Sequence, residues 1–368
     1  MKMKNYFKLP LCVLASALVM TSCSKDDSND IETIAPYTVP TTYNFADANY
    51  ASSTQRVKMA LELNSYLGSA LTTTITTEKA NDYFNNTNNP FTTDATLNTS
   101  GVKLADKTAD ATTFTGYFTQ QAANSTKNTV EATNGTAGYV IKGTAKRLVS
   151  ATGLEYNQAV AKGMMGALFF KEALNILAAV PNDNNTTVTN GTTAMQRHWD
   201  EAFGYLSVPV DYDPERTYAN TDAIRPLLWG GYLAERGKGI EAGKVIFNAF
   251  LKGRAAIGAK DYAVVKEQIT IIQNKWEQLV AAAALAYVTI PTNAVSVGDL
   301  PTQFHALSEA YGFISCFKYR PASSKLSAAD FQKLTATINT NFYTLVNEAG
   351  FTKLVEAQTL LKTVYGLN

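Results

Sequence analysis

The chain contains the stretch His198-Trp-Asp-Glu-Ala-Phe-Gly-Tyr205, and a related stretch, His305-Ala-Leu-Ser-Glu-Ala-Tyr-Gly-Phe313, follows nearer the C-terminus. These stretches hold the only 2 histidines among 368 residues, and each histidine comes shortly before the pattern Glu-Ala-aromatic-Gly-aromatic. Because so scarce a residue recurs in one pattern, the sequence predicts two copies of one helical unit.

The residues before each histidine also follow one plan. Residues 153–180 and 261–290 place apolar side chains at helical spacing, and the two runs end at Pro181 and Pro291. A loop then leads to the helix that carries the histidine. This repeat predicts an all-α protein with two helical bundles related by a pseudo-twofold axis.

The predicted bundles span residues 43–210 and 211–368. Helical spacing predicts their other helices at residues 53–70, 76–84, 114–123, 193–206, 220–235, 240–257, 301–317, 328–348 and 352–365. No alternating strand pattern competes over a comparable length, and the rest of the segment 92–136 stays unassigned.

The first residues have the features of an export signal. A basic start, Met1–Lys8, precedes an apolar run to Met20 that is too short to cross a bilayer core of about 30 Å. Cys23 follows small residues, as in a relaxed lipobox. We therefore expect residues 1–22 to be a lipoprotein signal peptide and Cys23 to carry lipid. The alternative is an ordinary signal peptide with a cysteine placed by chance.

Residues 23–42 are predicted to form a flexible tether, because their polar start cannot build a core. The triplet Lys25-Asp26-Asp27 resembles the mark that sends some Gram-negative lipoproteins to the outer face of the outer membrane. We expect a protein that is attached to the outer membrane through its lipid and displayed at the cell surface.

Composition limits the classes of partner. The net charge is +1, with 46% hydrophobic and 17% charged residues, and no basic stripe interleaved with aromatic residues occurs, so nucleic acid is excluded as a partner. Once Cys12 has left with the signal and Cys23 carries lipid, only Cys316 remains. One cysteine forms neither an internal disulfide nor a cysteine-rich metal site, and we expect it to be a small buried hydrophobe.

Each histidine is paired with a glutamate on its own helix. Residues three or four apart share a helix face, and imidazole with carboxylate suits zinc, iron or manganese. The predicted metal ligands are therefore His198, Glu201, His305 and Glu309. An outer polar shell is predicted from Glu155, Gln158 and Lys162, which alternatively form a solvated face.

Two other interpretations of the His–Glu pairs stay open. Each pair could form structural polar contacts within its own bundle, with no ligand. Catalysis has less support, because the chain has no His-Glu-x-x-His helix and no Gly-x-Ser-x-Gly elbow beside a histidine.

The stretch Gly153-Leu-Glu-Tyr-Asn-Gln-Ala-Val-Ala-Lys-Gly-Met-Met-Gly-Ala167 and the two histidine stretches resemble those of a family of bacterial lipoproteins defined as a domain of unknown function. Tyr43-Asn-Phe45 before an amphipathic helix is similar too, so the resemblance covers most of the chain from about Tyr43. That family in turn looks related to the imelysin-like, iron-regulated surface proteins. The resemblance implies two helical bundles and a role in iron or haem-related uptake.

The resemblance carries His198 and Glu201 over as the imelysin-type His-x-x-Glu pair. The chain departs from the type at Gln196, where imelysin proteins have glycine two residues before the histidine. His305 and Glu309 match the lipoprotein family, but their spacing is one residue longer than His-x-x-Glu. These departures weigh against the peptidase activity proposed for imelysins.

The sequence thus favours a surface-tethered lipoprotein that binds a divalent metal, zinc or iron, or a metal-bearing haem-type ligand between two helical bundles. One alternative is a non-catalytic scaffold that holds a surface protein or a glycan. The other is an imelysin-like peptidase.

Overall fold

Helices make up most of the architecture in the computed structural model, which describes residue 34 and residues 36–368. The α-helices are α1 (Ala51–Gly68), α2 (Thr77–Asn85), α3 (Ala111–Ser125), α4 (Tyr156–Met164), α5 (Lys171–Ala179), α6 (Ala194–Leu206), α7 (Trp229–Glu235), α8 (Ala242–Gly258), α9 (Tyr262–Thr289), α10 (Leu300–Cys316), α11 (Ala328–Ile338), α12 (Phe342–Asn347) and α13 (Thr352–Tyr365). The strands are β1 (Gly138–Lys142) and β2 (Ala145–Val149).

This architecture confirms the predicted all-α class, and the pseudo-twofold relation between two bundles stays a prediction. Residues Ala35–Asn368 form one compact unit, and the boundary expected between residues 210 and 211 stays a prediction as well. The predicted signal peptide, Cys23 and most of the tether lie outside the described residues.

Helix α9 lies at the centre of the core, where it packs against α8, α10 and α13. Asp261 is its N-cap residue, and the side chain accepts a hydrogen bond from the backbone N–H of Val264. Trp276 on this helix is fully buried and meets Phe170 and Trp229, with ring centroids 6.1 and 6.3 Å away. Large aromatic side chains therefore fill the space where the longest helix meets its neighbours.

The run predicted as one helix over residues 153–180 contains a change of helix type. A π-helical turn, Met165–Phe170, separates α4 from α5. Two carbonyls in this turn accept hydrogen bonds from outside the helix: Met165 O from Trp229 Nε1 at 2.8 Å, and Ala167 O from the backbone N–H of Ala109 at 2.9 Å. The wider turn is possible because neighbouring elements supply these donors.

Helices α4 and α10 approach each other closely because glycines face the contact. A Cβ atom on Gly312 would stand 2.4 Å from Lys162 Cβ and 2.8 Å from the backbone nitrogen of Gly163. One on Gly166 would stand 2.5 Å from the sulfur of Cys316, which is fully buried as expected. Small residues therefore let the backbones of α4 and α10 come close at this contact.

The predicted helix over residues 220–235 is wrong in its first part, because α7 begins only at Trp229. Pro226 has no N–H and disfavours helical geometry in the residue before it. The next N–H, of Leu227, donates to Ser207 O at 2.9 Å rather than to a helical carbonyl. Leu228 then takes a φ of 43° before α7 starts.

A short hairpin was not predicted from the sequence. Strands β1 and β2 pair antiparallel, with Gly138 opposite Val149. Val140 and Val149 join a small apolar cluster with Phe304 and Leu307 of α10. The hairpin therefore packs beside the N-terminal part of the helix that carries His305.

The stretch Tyr156–Asn182 is the one helical run in the described part of the chain that is long and apolar enough, by length and composition, to cross a membrane. Within its apolar window 72% is buried inside the protein, as in the core helix of a soluble domain. Its apolar character therefore matches its central place in the core.

Candidate functional site

His305 lies near the start of α10 and contacts two carboxylates. Its Nδ1 is 3.0 Å from Glu155 Oε1, and its Nε2 is 3.6 Å from Glu309 Oε1, one helical turn further on. The imidazole is 27% exposed, whereas the two carboxylate side chains are 3% and 7% exposed. The ring is thus the solvent-facing member of a largely buried acidic group.

Glu155 is held in place by α10 through its backbone as well as its side chain. It is the N-cap residue of α4, and its N–H donates to Ser308 Oγ at 2.9 Å. When its carboxylate accepts the Nδ1 proton of His305, the Nε2 lone pair points toward the side of Glu309. Glu155 can therefore fix the tautomer and the orientation of the ring.

Glu309 is paired with a lysine but keeps one oxygen without a partner. Lys162 Nζ lies 3.2 Å from Glu309 Oε1 and 5.3 Å from the ring centroid of Tyr232. Glu309 Oε2 is buried with no hydrogen-bond partner among the described residues. A buried carboxylate oxygen of this kind is costly unless it is satisfied, so it attracts a cation or a donor.

Two tyrosines close the buried side of the cluster. The hydroxyls of Tyr232 and Tyr287 are 3.1 Å apart, and Tyr287 donates to Glu235 Oε1 at 3.2 Å. Burial, followed by the charge of Glu309, raises the pKa of Tyr232 and of Tyr287 far above the ordinary tyrosine value. Both hydroxyls stay neutral near pH 7 and act as hydrogen-bond donors.

His198 lies in a different environment on α6. Its Nδ1 is 2.8 Å from Asp183 Oδ2, and its side chain is 47% exposed. Glu201 accepts a hydrogen bond from Ser53 Oγ at its backbone carbonyl, at 2.8 Å. Helix α6 packs mainly against α1, α5 and α8, whereas α10 packs mainly against α4, α9 and α11.

The structure therefore brings His305 and Glu309 together with Glu155 and Lys162 from the predicted outer shell. No hydrogen bond or ion pair among the described residues links His198 or Glu201 to this set. Gln158 stands on α4, where its backbone N–H donates to Glu155 O at 3.1 Å. A site shared by the two histidines stays a prediction.

A buried ion pair beside His198 was not predicted from the sequence. Asp200 is fully buried and forms an ion pair with Arg254, at 2.8 Å from Oδ1 to Nε. Tyr43 donates to the same oxygen at 2.8 Å. Both residues lie in sequence patterns that were recognised, Asp200 in His198–Tyr205 and Tyr43 in Tyr43-Asn-Phe45. The ion pair was overlooked because a buried acid is recognised only once its cationic partner is placed.

A cleft of about 280 Å³, lined in part by Lys162 and Tyr232, was not predicted from the sequence either. Its walls come from α1, α4, the π-helical turn and residues 225–235. Leu228, which has φ 43° and ψ −116°, forms part of its rim. No short sequence motif marks this cleft, because its lining residues come from distant segments.

The donor set around His305 fits a cation only partly. His305 Nε2 and Glu309 face the same point, but Lys162 already places a positive charge there. Within residues 34 and 36–368, no group of three or more His, Cys, Asp or Glu side chains is arranged to hold a metal ion. A cation at this point would therefore need water ligands in addition to His305 and Glu309.

Comparison with known proteins gives one family. The sequence model of the family described as Domain of unknown function (DUF4856) matches residues 40–364. No curated protein and no solved structure matches the chain.

Proposed function

The chain belongs to the DUF4856 family of domains of unknown function, and we propose that it is an exported, lipid-anchored protein that binds a divalent metal ion or a metal-bearing ligand beside His305. The iron-related uptake implied by the imelysin resemblance is the biological role proposed for it. Binding, rather than catalysis, is the activity that the donor set supports.

One relationship carries the proposal: Glu155 is 3.0 Å from one nitrogen of His305, and the other nitrogen faces Glu309. In metal sites, a carboxylate on the distal nitrogen of the ligating imidazole fixes the ring and makes it a better ligand. Glu309 would supply the anionic ligand, and its unpartnered Oε2 favours an incoming cation. In this assignment Glu155 orients the ring and does not itself bind the metal.

Lys162 is the competitor of the metal in this proposal. Its ammonium lies 3.2 Å from Glu309 Oε1, so a divalent cation must displace it from that oxygen. Like charges at such a distance repel, and the displaced ammonium has the ring of Tyr232 beside it. Removing the charge of Lys162 should therefore strengthen metal binding.

A second function is favoured by that same contact between Lys162 and Glu309. If the ammonium permanently neutralises Glu309, the cluster is an internal brace between α4 and α10. The protein would then be a non-catalytic surface scaffold for a protein or glycan partner. An imelysin-like peptidase is the third reading, and the chain has no feature that raises it above the other two.

Isothermal titration calorimetry separates these functions: zinc, iron(II) and manganese(II) are each titrated into protein that has been purified without chelator. We expect His305→Ala and Glu309→Gln to abolish binding, and Glu155→Gln to weaken it by about 10–100-fold, as loss of an orienting partner does. Lys162→Met should bind more tightly than the wild type. His198→Ala is the matched control, because its imidazole bonds to Asp183 instead.

Each other outcome has a defined meaning. Equal losses in His198→Ala and His305→Ala would favour the predicted site shared by both histidines. Absence of metal binding in the wild type and in Lys162→Met would remove the metal function. Loss of folding stability in Lys162→Met without any metal binding would support the brace.

The two-bundle arrangement is a further part of the proposal. It is supported by a repeated local plan, in which a long helix ends in a short 3₁₀ turn containing proline and a capped helix with the histidine follows. The turns are Val180–Asn182 and Ile290–Thr292, and the caps are Thr193 and Asp299. The start of helix α6 also explains why residue 196 is glutamine and not the glycine of imelysin proteins. The side chain of Gln196 completes a capping box with Thr193.

Lipid anchoring at Cys23 is tested separately in cells. Wild-type protein should incorporate a labelled fatty acid and sediment with outer membranes, and surface protease should reach it. Cys23→Ser should lose the label and become soluble. A Cys316→Ser variant should keep the label, since that cysteine is buried in the folded chain. Labelling that persists in Cys23→Ser would contradict the anchor.

A further inference from the structure

The cleft beside Lys162 combines apolar walls with a few polar groups. Its volume is about 280 Å³, and Leu63, Met164 and Phe169 contribute to its apolar lining. Asn64, Arg225 and Glu235 also line it, together with Lys162 and Tyr232. An apolar concavity with a small number of polar groups is the usual composition of a small-molecule site.

Two of its polar side-chain groups have no partner among the residues that the structure describes. Asn64 Oδ1 is buried and accepts no hydrogen bond from any described residue. The guanidinium of Arg225 forms no hydrogen bond or ion pair with the described part of the chain. A buried acceptor without a donor is costly, and an arginine fork is suited to a carboxylate. The cleft therefore offers one unsatisfied acceptor and one unsatisfied cationic donor.

The walls are fixed before any ligand arrives. Trp229 Nε1 donates to Met165 O at 2.8 Å, and Leu227 N donates to Ser207 O at 2.9 Å. Leu228 is held between these two attachments with φ 43°, a conformation that leucine rarely adopts. Gly230 permits the contact, because a Cβ there would stand 2.3 Å from Ser207 O. A rigid rim of this kind favours a preformed site.

We propose that this cleft binds a free α-amino acid with an apolar side chain. The carboxylate would pair with Arg225, and the ammonium would lie near the negative charge of Glu235 and donate to Asn64 Oδ1 once this buried oxygen turns toward the cleft. The side chain would fill the space between the apolar walls. The volume lies near the lower limit of ligand pockets, about 300 Å³, so it suits a single small molecule rather than a polymer.

The test uses L-leucine, L-leucinamide and 4-methylpentanoate, titrated by calorimetry into the purified mature protein in the presence of a chelator. Leucinamide lacks the carboxylate, and 4-methylpentanoate lacks the ammonium. We expect leucine to bind at least tenfold more tightly than either analogue. Leucine binding should be the same in His305→Ala, because this site needs neither that histidine nor a metal.

Two variants locate the binding. Arg225→Gln should lower leucine affinity to the level of leucinamide, whereas the control Arg216→Gln, from the same irregular segment and paired with Asp222, should leave it unchanged. Gly231→Leu should block the cleft and fold normally, because a Cβ at Gly231 meets nothing closer than 3.9 Å. Circular dichroism checks the fold of each variant.

The proposal is overturned if leucine, methionine and phenylalanine all fail to bind to the wild type. It is also overturned if leucine binds equally well to Gly231→Leu, or if leucinamide binds as tightly as leucine.

Discussion

Asp200 and Arg254 form an ion pair inside the core, with Asp200 Oδ1 2.8 Å from Arg254 Nε. The pair joins α6 to α8, and Tyr43 adds the N-terminal segment by donating to the same oxygen. Burial raises the pKa of Asp200, while the charge and hydrogen bonds of Arg254 act in the opposite direction. The carboxylate is thus tolerated in the core because Arg254 and Tyr43 surround it.

Removing one member of this pair should destabilise the fold strongly. We expect Asp200→Ala to lower the free energy of unfolding by about 3–5 kcal/mol, because Arg254 would remain charged and buried without its partner. Urea denaturation followed by circular dichroism measures the change. Glu267→Ala, which removes the exposed partner of Lys252, should stay within about 0.5 kcal/mol of wild type. Equal effects in both variants would refute this account of the buried pair.

The close contact between α4 and α10 should not tolerate a side chain at Gly312. We expect Gly312→Ala to destabilise the protein by about 1–3 kcal/mol, because the new Cβ meets the backbone of Gly163 and the helices must separate. Gly116→Ala in α3 is the control, since a Cβ there meets nothing within 4 Å. The control should gain about 0.5–1 kcal/mol from helix propensity. Thermal and urea unfolding of both variants should therefore move in opposite directions.

The π-helical turn can be tested with two buried tryptophans. Trp229 Nε1 donates to Met165 O at 2.8 Å, whereas Trp276 Nε1 is buried with no partner among the described residues. Replacement by phenylalanine removes a similar volume in both cases, but only Trp229→Phe removes a hydrogen bond, the one that Met165 O accepts. We expect Trp229→Phe to cost about 1–3 kcal/mol more than Trp276→Phe in chemical unfolding. A larger loss in Trp276→Phe would contradict the proposed role of the indole in the π-helical turn.

Much of the helical framework follows from the sequence, because the apolar period of 3.6 residues is a local signal. Helices α9, α10 and α13 agree closely with the ranges expected for them. The errors occur where tertiary contacts decide the backbone. Leu227 bonds to Ser207 instead of continuing a helix, and the π-helical turn depends on Trp229, which is distant in sequence.

In the candidate site, too, contacts within one helix follow from the sequence, whereas contacts between distant segments do not. His305 and Glu309 share a face because of their spacing on one helix, so their contact can be expected from sequence. The ion pair of Lys162 with Glu309 joins two helices that are far apart in the chain, and its distance depends on how closely α4 and α10 pack. The partner of His198, Asp183, lies in a loop for which the sequence carries no pairing signal.

Two glutamates should give opposite pH dependences of stability. Burial raises the pKa of Glu277, against the hydrogen bonds from Ser324 and Tyr365 and the charge of Arg320. Hydrogen bonds from the backbone and then the side chain of Lys353 lower the pKa of Glu348, whose side chain is 23% exposed.

The signs follow from which protonation state the fold prefers. The fold favours protonated Glu277, so that stabilisation is complete below the unfolded-state pKa and is lost as the pH rises through the folded-state pKa. The fold favours ionised Glu348, so its contribution is present above the unfolded-state pKa and is lost as the pH falls through the folded-state pKa.

Replacing each glutamate with glutamine, which cannot ionise, makes the two pH-dependent contributions to stability measurable. Glu277→Gln should become more stable relative to wild type as the pH is raised from about 4 to 8, since only the wild type must then ionise a buried carboxyl. Glu348→Gln should become less stable relative to wild type over the same interval. Urea midpoints at several pH values give both curves, and each variant controls for effects of pH on the rest of the chain. Curves that run in the same direction would show that burial does not govern the ionisation of Glu277.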